Sequence, residues 1–384
     1  MNQQNDFEGL PLENAEEQTE ALAESKTDES TTEKNENSSK KKKSKAKKVL
    51  LWILIVVLVL ILSGIITVFA LIQKGKSSLL NIESMKIEPG SIISETDVDD
   101  DGKTIEFQGK KYTYNEDMTA ILCIGVDTEK FSDGAGIKGQ NGQADALFLY
   151  AMDTKTGKST IIPISRDAMV DVDIYSGNGK YVSSSKKQLC LAYAYGDGKH
   201  TSCENTVRSV SRLFYGLPIN SYVAIDLKAI EVLSDKVGGV PVVPDEDFSY
   251  LGYNYFKGKE VNLTGLKARM FVQGRDQSKL DSNLNRMARQ KQFVTSFFGK
   301  AIAKTKEKIT FPVDVYKSTN EYIITDLDIA EISFLASCAI GNDIGLQFKS
   351  IEGTIKKGEK YAEYYADDES VYNAVLEVFY KPVV

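Results

Sequence analysis

The chain has 384 residues, which exceeds one small domain and fits one large domain with additional segments. Its net charge of −7 is modest, but the charged residues are unevenly distributed. The sequence has a single histidine, His200, and lacks G-x-S-x-G, P-loop, G-x-G-x-x-G and H-E-x-x-H motifs. These features argue against a Ser-His-Asp hydrolase, a nucleotide-dependent enzyme and a zinc protease, and we expect His200 to lie on the surface.

The first 48 residues are predicted to form a disordered cytoplasmic tail. Residues 1–39 are rich in Glu, Asn, Ser and Thr, and so polar a segment cannot bury enough apolar surface to offset its chain entropy. Seven lysines follow between Lys40 and Lys48. Because these lysines directly precede an apolar segment, contact with anionic membrane lipid explains them better than binding to nucleic acid.

Residues 49–72 read VLLWILIVVLVLILSGIITVFALI, which is 24 residues without a charge. A helix needs about 20 such residues to cross a bilayer, so we predict a transmembrane helix. The segment is too long, and starts too late in the chain, for a cleaved signal peptide. The lysines lie before it, and only Lys74 and Lys76 follow closely, so the positive-inside rule predicts a single-pass type II protein with residues 73–384 outside the cell membrane.

Residues 73–118 are predicted to be a membrane-proximal stalk with short strands at 104–107 and 111–113. From residue 119 to residue 384, strands and helices alternate in one exported domain. This alternation predicts an α/β fold with a mixed central sheet covered by helices on both faces, an α-β-α sandwich. The predicted strands span 119–126, 146–153, 159–165, 221–227, 239–243, 322–325 and 348–352, with a hairpin turn at 154–157. The predicted helices span 187–195, 204–215, 227–239, 263–273, 283–305, 326–340 and 369–379.

The four cysteines are compatible with an exported domain, where disulfides are permitted. Cys190 and Cys203 bracket a segment that suits two short elements joined by a turn, and this spacing predicts a disulfide between them. Cys123 and Cys338 lie in apolar runs and are predicted to be buried thiols. A zinc site is disfavoured because there is no C-x-x-C pair.

Two aspartates mark the ends of predicted strands. Asp127 follows the strand at 119–126, and Asp145 directly precedes the strand at 146–153. If these strands are neighbours, the glycine-rich loop 134–142 brings the two carboxylates together, where they repel unless a cation lies between them. Hard oxygen ligands favour Mg²⁺ or Mn²⁺, and Mg²⁺ also accepts phosphate oxygens. The alternative is that each aspartate only caps its own loop.

A group of basic and polar side chains comprises Arg166, Arg275, Arg286, Arg289 and Gln290. Arg286 and Arg289 are three residues apart and therefore lie on one helix face. Arginines that converge in this way would form a phosphate clamp, because the guanidinium binds phosphate or pyrophosphate bidentately and keeps its proton. The alternative is a set of surface salt bridges to Asp276 and Asp281.

Six stretches of the sequence carry a resemblance to a known family. They are ILCIGVD (121–127), ADALFLYAMDTKTGKSTIIPISRD (144–167), LCLAYAYGDG (189–198), ENTVRSVSRLFYGLPINSYVAIDLKAIEVLSDKVGGVPV (204–242), LTGLKARMFVQGRD (263–276) and NRMARQKQFV (285–294). In order and spacing they resemble the LytR-CpsA-Psr family of Gram-positive cell-envelope proteins. Several motifs in order make this resemblance far more specific than any single motif, and the predicted type II topology also matches.

The resemblance implies a metal-assisted phosphotransferase. Family members take a glycopolymer, such as teichoic acid or capsule, that is linked through pyrophosphate to a polyprenyl lipid, and they transfer it with one phosphate to a peptidoglycan hydroxyl. Such chemistry needs positioning and charge neutralisation, and the activated bond arrives with the lipid, so no ATP site is required. The implied roles are Mg²⁺ binding by Asp127 and Asp145, pyrophosphate binding by Arg166, Arg275, Arg286, Arg289 and Gln290, and deprotonation of the acceptor hydroxyl by Asp145 or Asp167.

The sequence departs from the family pattern at three places, and each departure removes positive charge. The arginine expected shortly after Asp127 is missing, and Glu129 lies in that segment. The family's GRSD reads GQAD here, with Gln143 in place of arginine, and its YVRxR reads FVQGR, with Gln273 in place of the first arginine. Lys130 or Arg269 could restore the lost charge, or the substrate could be bound more weakly or differently.

Three functions are therefore compared. The first is transfer of the glycopolymer, and the second is a non-catalytic envelope protein that binds lipid-linked glycan or regulates envelope assembly, which the lost charges would favour. The third is a pyrophosphatase that acts on the same lipid with water as the acceptor. A role in transcription finds no support, because the predicted tail shows no helix-turn-helix pattern.

Overall fold

The computed structural model of the protein describes residues 32–80, 103–131, 142–275, 282–340, 346–358 and 361–383. The predicted disorder of residues 1–31, residues 81–102 of the predicted stalk, and the loop at 134–142 except Gly142 lie outside these residues. So do the proposed salt-bridge partners Asp276 and Asp281. The chain divides into two compact units, Met1–Ile66 and Thr67–Val384.

The first helix, α1, spans Thr32–Leu79, so it begins earlier and ends later than the predicted apolar span. Within it, Lys47–Leu79 is the one helix of the described residues that is long and apolar enough to cross a membrane. Residues 32–48 are helical, and the prediction of a disordered tail is wrong for this part. Lysine, glutamate and alanine are good helix formers, and extending an existing helix costs far less than nucleating a new one.

The last turns of α1 pack within the second unit, so the segment after residue 72 begins as helix. Leu79 is buried, and Lys74 forms an ion pair of 3.2 Å with Asp328. Gly75 lies against the backbone of Ala330, where a Cβ atom would come within 2.1 Å of the carbonyl oxygen. A side chain at residue 75 would therefore separate α1 from the helix that contains Ala330.

The described residues also form seventeen strands and eight further helices. The strands are β1 (Thr104–Phe107), β2 (Lys110–Tyr114), β3 (Met118–Val126), β4 (Ala144–Asp153), β5 (Ser159–Ile164), β6 (Met169–Tyr175), β7 (Tyr181–Gln188), β8 (Ser221–Ile225), β9 (Val240–Val242), β10 (Phe248–Tyr250), β11 (Tyr253–Tyr255), β12 (Val261–Leu263), β13 (Ile323–Thr325), β14 (Leu346–Phe348), β15 (Gly353–Lys357), β16 (Ala362–Ala366) and β17 (Tyr380–Pro382). The helices are α2 (Leu191–Ala194), α3 (His200–Leu213), α4 (Leu227–Lys236), α5 (Gly265–Gln273), α6 (Ser282–Glu307), α7 (Phe311–Thr319), α8 (Ile329–Ile340) and α9 (Asp368–Phe379).

A six-stranded mixed sheet forms the centre, in the order β13-β8-β3-β4-β5-β14. The pairs β3–β4 and β4–β5 are antiparallel, whereas β3–β8 and β5–β14 are parallel. Alternate residues of β3 point to opposite faces, as expected for a strand. Leu122 joins the main core with residues of α3 and α9, and Ile121 packs with Leu79 and Phe334 on the other face. The predicted mixed α/β fold with helices on both faces is confirmed.

Local signals explain where several helices begin. Asp226 precedes α4, and its carboxylate accepts a hydrogen bond of 2.8 Å from the backbone N–H of Ala229. Asp367 caps α9 in the same way through Ser370. Such caps satisfy N–H groups that have no partner inside the first turn of a helix.

Two predicted segments fold differently from the prediction, and β6, β10, β11, β12, β15, β16 and α7 form where no element is predicted. Residues 181–188 form strand β7, which pairs with β6, so the predicted helix at 187–195 is reduced to the four residues of α2. The sequence YVSSSKKQ is polar, and its pairing to β6 is a contact that local patterning does not reveal. Strands β1 and β2 occur close to the predicted places, but β2 pairs with the C-terminal strand β17 and Ile105 is in the main core. These residues of the predicted stalk therefore belong to the folded domain.

All four cysteines are free, so the structure does not contain the disulfide predicted between Cys190 and Cys203. Cys203 lies in α3 and faces the main core, whereas the thiol of Cys190 contacts a guanidinium described below. The two thiols therefore lie in different environments. Cys338 is buried as predicted, and Cys123 is half-buried.

Candidate functional site

The candidate site lies at the end of the central sheet where β3 ends, β4 begins and β5 ends. The backbone N–H of Asp127 donates a 3.0 Å hydrogen bond to the carbonyl of Gln143, and a bulge interrupts the ladder at Gly125/Val126. A bulge re-aims the residues next to it. The antiparallel register of β4 and β5 then brings Arg166, just after β5, opposite Asp145. The structure thus brings Asp127, Asp145 and Arg166 to one end of the central sheet.

Arg166 contacts several neighbouring side chains among the described residues. Its guanidinium forms an ion pair with Asp145 and donates to the side-chain oxygen of Gln143. It also donates to the sulfur of Cys190 at 3.2 Å, and its Nε lies 3.6 Å from Oδ1 of Asp167. A guanidinium held on several sides has few conformations to lose when a ligand binds.

Arg286 reaches the same carboxylate from α6. Its Nη1 lies 3.2 Å from Oδ2 of Asp145, and its Nη2 donates to the backbone carbonyl of Asp145 at 3.4 Å. The side chain is buried, and burial lowers the pKa of Arg286, with the positive charge of Arg166 acting in the same direction. Asp145 therefore joins two arginines, one through each of its carboxylate oxygens.

The other two aspartates of the site have raised pKa values. Burial raises the pKa of Asp127, and the negative charge of Asp145 raises it further, so these two carboxylates are close enough to repel each other. Burial also raises the pKa of Asp167, although Arg166 and Arg275 lower it. Arg275 itself is exposed at the end of α5. The structure thus gathers Asp127, Asp145, Asp167, Arg166, Arg275 and Arg286.

Arg289 and Gln290 serve the surrounding structure in the described contacts. Arg289 is buried and donates from Nε to the carbonyl of Phe271 at 3.2 Å, and from Nη2 to the carbonyl of Gly274. Its Nη1 forms an ion pair of 2.8 Å with Glu246. The Nε2 of Gln290 donates to the carbonyl of Val272 at 3.3 Å. Both side chains therefore stabilise the C-terminal end of α5, and Arg275 follows shortly after this end.

The three positions that lack the family's arginines are occupied by hydrogen-bond acceptors. Gln143 accepts from Arg166, and Gln273 accepts from Nε of Arg269 at 3.1 Å. Arg269 also pairs with Glu129, at 2.7 Å from Nη1, and with Glu231 at 3.3 Å. Two carboxylates neutralise Arg269, so it does not restore the missing positive charge.

A mainly apolar cavity of about 240 Å³ begins beside this cluster. It lies between the central sheet and the helices α4, α5 and α6, and its lining includes Gly125, Ala146 and Gln290, which neighbour the site residues in sequence. Aromatic and aliphatic side chains line the rest, among them Phe293 and Val294. An apolar chain fits a space of this kind, because it gains from leaving water and needs no hydrogen-bond partners.

Charge decides whether these side chains suit a divalent cation. The arginines Arg166, Arg275 and Arg286 are matched by as many aspartates, so the six side chains are formally neutral together. A pyrophosphate would bring negative charge that these six groups leave unneutralised. No cluster of three or more His, Cys, Asp or Glu side chains that could hold a metal occurs among the described residues. Mg²⁺ needs only one or two carboxylates besides water and phosphate oxygens, so Asp127 and Asp145 fit an ion that binds together with its substrate.

Sequence reasoning missed the partners that fix the arginines. The contacts of Gln143 and Cys190 with Arg166 join residues more than twenty positions apart. The sequence identifies Gln143 only as a lost arginine and Cys190 only as a partner in the predicted disulfide. The sequence does contain a signal for the contact between Gln143 and Arg166. A neutral glutamine in place of an arginine removes the repulsion between two positive charges, and so indicates that another arginine lies nearby.

Comparisons with known proteins agree with this architecture. The model of the LytR_cpsA_psr family matches residues 84–378. The chain is 23% identical over 263 residues to the polyisoprenyl-teichoic acid–peptidoglycan teichoic acid transferase TagU of Enterococcus faecalis, covering 68% of this chain and 76% of that protein. It is 26% identical over 265 residues to the TagU of Oceanobacillus iheyensis, with coverage of 68% and 76%. The crystal structure of Bacillus subtilis TagV shares the fold with a TM-score of 0.53 and 23% identity, covering 68% of this chain and 96% of that one.

Proposed function

The chain belongs to the LytR-CpsA-Psr family, and we propose that it transfers a glycopolymer from a polyprenyl-pyrophosphate carrier to a hydroxyl of peptidoglycan. The observation that carries this proposal is the juxtaposition of an arginine–aspartate cluster with an apolar cavity. A pyrophosphate attached to a polyprenyl chain has these two chemical parts, an anionic centre and an apolar tail. The names of the TagU relatives support the same reaction class.

In the proposed reaction, Arg166, Arg275 and Arg286 bind and orient the pyrophosphate. Their forked donors match phosphate oxygens and remain charged throughout the reaction. Asp127 and Asp145 would hold Mg²⁺, which when bound would neutralise charge on the phosphate oxygens. Asp167 lies beside Arg166 and takes up the proton of the acceptor hydroxyl as that oxygen attacks the phosphorus that carries the glycopolymer.

We further propose that α1 anchors the protein in the cytoplasmic membrane, with the tail inside the cell and the domain outside. The helix is long and apolar enough to cross a bilayer, and the lysines precede its apolar part. A lipid-linked donor is confined to the same membrane surface. Anchoring would therefore raise the local concentration of the donor at the site.

The direct test combines the purified protein with a lipid-linked pyrophosphate donor, Mg²⁺ and peptidoglycan glycan strands. We expect covalent attachment of the polymer to the strands, with one equivalent of polyprenyl phosphate released for each transfer. Donor binding without turnover would instead favour the non-catalytic envelope protein. Cleavage that is equally fast without glycan strands would indicate a pyrophosphatase.

Arg166→Ala is expected to weaken donor binding more than it lowers stability. Losing the charge-assisted contacts should reduce affinity roughly ten- to a hundredfold, whereas Asp145 keeps Arg286 as a partner in the variant. Arg166→Lys is the matched control, because it keeps the charge and loses the fork, and it should show an intermediate affinity. Titration of the protein with donor measures the effect, and an unchanged Kd would remove Arg166 from the clamp.

Filling the apolar cavity should affect only donors with a long lipid. In Val294→Trp the larger side chain occupies the space beside Phe293, so affinity for a long-chain donor should fall at least about tenfold while a water-soluble short-chain donor binds as before. Thr295→Trp places the same ring on the exposed side of α6 and is the control. Equal losses for long- and short-chain donors would show that the cavity does not hold the lipid.

A further inference from the structure

A second pocket opens at the end of β5, on the other side of the arginine–aspartate cluster from the apolar cavity. This β5-end pocket has a volume of about 110 Å³, and its walls include Ile164, Leu213 and Tyr364. Ile164 belongs to the main core, and Leu213 packs against it. The apolar cavity lies against the opposite face of the central sheet. The two spaces therefore flank the same reactive cluster from different sides.

The β5-end pocket reaches the site directly, because Asp167 and Arg275 line it. Met287 lines it as well, next to Arg286 in α6, whereas Gln290 one turn later lines the apolar cavity. Ser165 adds a further polar group to the walls. An apolar surface with a few converging polar groups is the usual composition of a site that binds a small polar ligand.

Hydrogen bonds connect the wall of the pocket to Asp167. The Nε2 of Gln188 donates both to Oδ1 of Asp167 at 3.2 Å and to the carbonyl of Ala362 in β16 at 2.8 Å. The backbone N–H of Tyr364 donates to the carbonyl of Asp167 at 2.9 Å, and its hydroxyl donates to the carbonyl of Ile351 at 2.8 Å. The hairpin of β15 and β16 thus holds a tyrosine ring and a carboxylate in fixed relation.

The stereochemistry of the transfer relates one pocket to the leaving group and the other to the attacking hydroxyl. In phosphoryl-type transfer the attacking and leaving oxygens lie roughly in line on opposite sides of phosphorus. The leaving group is polyprenyl phosphate, and its tail belongs in the apolar cavity. The attacking hydroxyl must approach from the opposite side of the phosphorus, which is the side of the β5-end pocket.

We propose that the β5-end pocket is the acceptor subsite and binds a sugar residue of the peptidoglycan glycan strand, with the reacting hydroxyl beside Asp167. This inference rests on the proposed transferase function. The sugar's apolar face packs on Tyr364, and Arg275 binds its polar substituents. The acceptor oxygen forms a bond to the phosphorus that carries the glycopolymer, the bond from that phosphorus to the oxygen of polyprenyl phosphate breaks, and the hydroxyl proton passes to Asp167.

The test is Ala362→Trp, compared with Thr354→Trp. Ala362 is exposed and lines the pocket, so an indole there obstructs the subsite without entering the core. Thr354 lies in the same hairpin, but it pairs with Tyr365 and so points to the opposite face from Ala362 and Tyr364. We expect Ala362→Trp to raise the KM for soluble glycan strands about tenfold or more, while donor Kd stays as in the wild type and Thr354→Trp changes neither.

A second measurement does not depend on the variant. Hydrogen exchange of the wild-type protein with soluble glycan strands, in the absence of donor, should show protection of β15 and β16. An unchanged KM for glycan strands in Ala362→Trp, or absence of this protection, would overturn the acceptor subsite. Protection of the hairpin in a protein that transfers nothing would keep the glycan site and overturn the transferase function, so the two failures are distinguishable.

Discussion

Replacing Arg289 with alanine is expected to lower the free energy of unfolding by about 2–4 kcal/mol. The guanidinium is buried, and its three nitrogens bind the carbonyls of Phe271 and Gly274 and the carboxylate of Glu246. It also lies over the ring of Phe248 at 3.9 Å. Removing it leaves two carbonyls and a carboxylate without this partner and opens a cavity. Denaturant unfolding of the protein measures the loss.

Arg289→Lys is the control for this prediction, because it keeps one charge while losing the fork and the stacking over Phe248. It should recover part of the lost stability. The resemblance to the family predicts that Arg289 also binds pyrophosphate, and the contacts in the structure instead predict that it supports the segment before Arg275. A variant with wild-type stability and a strongly reduced donor affinity would contradict the structural role.

Asp145→Asn is expected to reduce the rate of transfer by about 10²–10³-fold. One carboxylate joins Arg166 and Arg286 and is a proposed ligand of Mg²⁺. The amide keeps the shape of the side chain and one acceptor oxygen, but it loses the charge that balances two guanidinium groups. The turnover number with saturating donor and Mg²⁺ measures the effect.

Asp145→Asn should also lower the stability of the protein. A strand-end aspartate alone contributes little packing, but Asp145 pairs with the buried Arg286, so we expect some loss of stability as well. Asp171→Asn in β6 makes the same chemical change at an exposed position outside the site and should leave both properties near wild type. Full activity of Asp145→Asn would remove Asp145 from the reaction.

The part of the site formed by neighbouring strands could be predicted from the sequence. Asp127 and Asp145 flank apolar runs that form adjacent antiparallel strands, and Arg166 directly follows the next strand. The three strands follow one another in the chain, and the turn at 154–157 joins the last two. The three residues therefore lie at one end of the central sheet. Local patterning carries this information because each step joins elements that are consecutive in the chain.

What the sequence did not predict depends on contacts between distant elements. Gln188 lies in a polar strand that is stabilised by pairing with β6, whereas the sequence predicts a helix at this residue. Arg289 and Arg286 share one helix face in sequence, yet one donates to the end of α5 and the other to Asp145. The direction of each guanidinium depends on which carbonyls and carboxylates the fold brings within reach, and helical spacing does not contain that information.

The most direct test of the proposed function is a crystal structure of the protein with a lipid-linked pyrophosphate donor and Mg²⁺. We expect the pyrophosphate to lie against Arg166, Arg275 and Arg286, and continuous lipid density in the cavity beside Phe293 and Val294. A donor whose phosphates bind away from these arginines, or whose lipid lies outside this cavity, would contradict the proposed function.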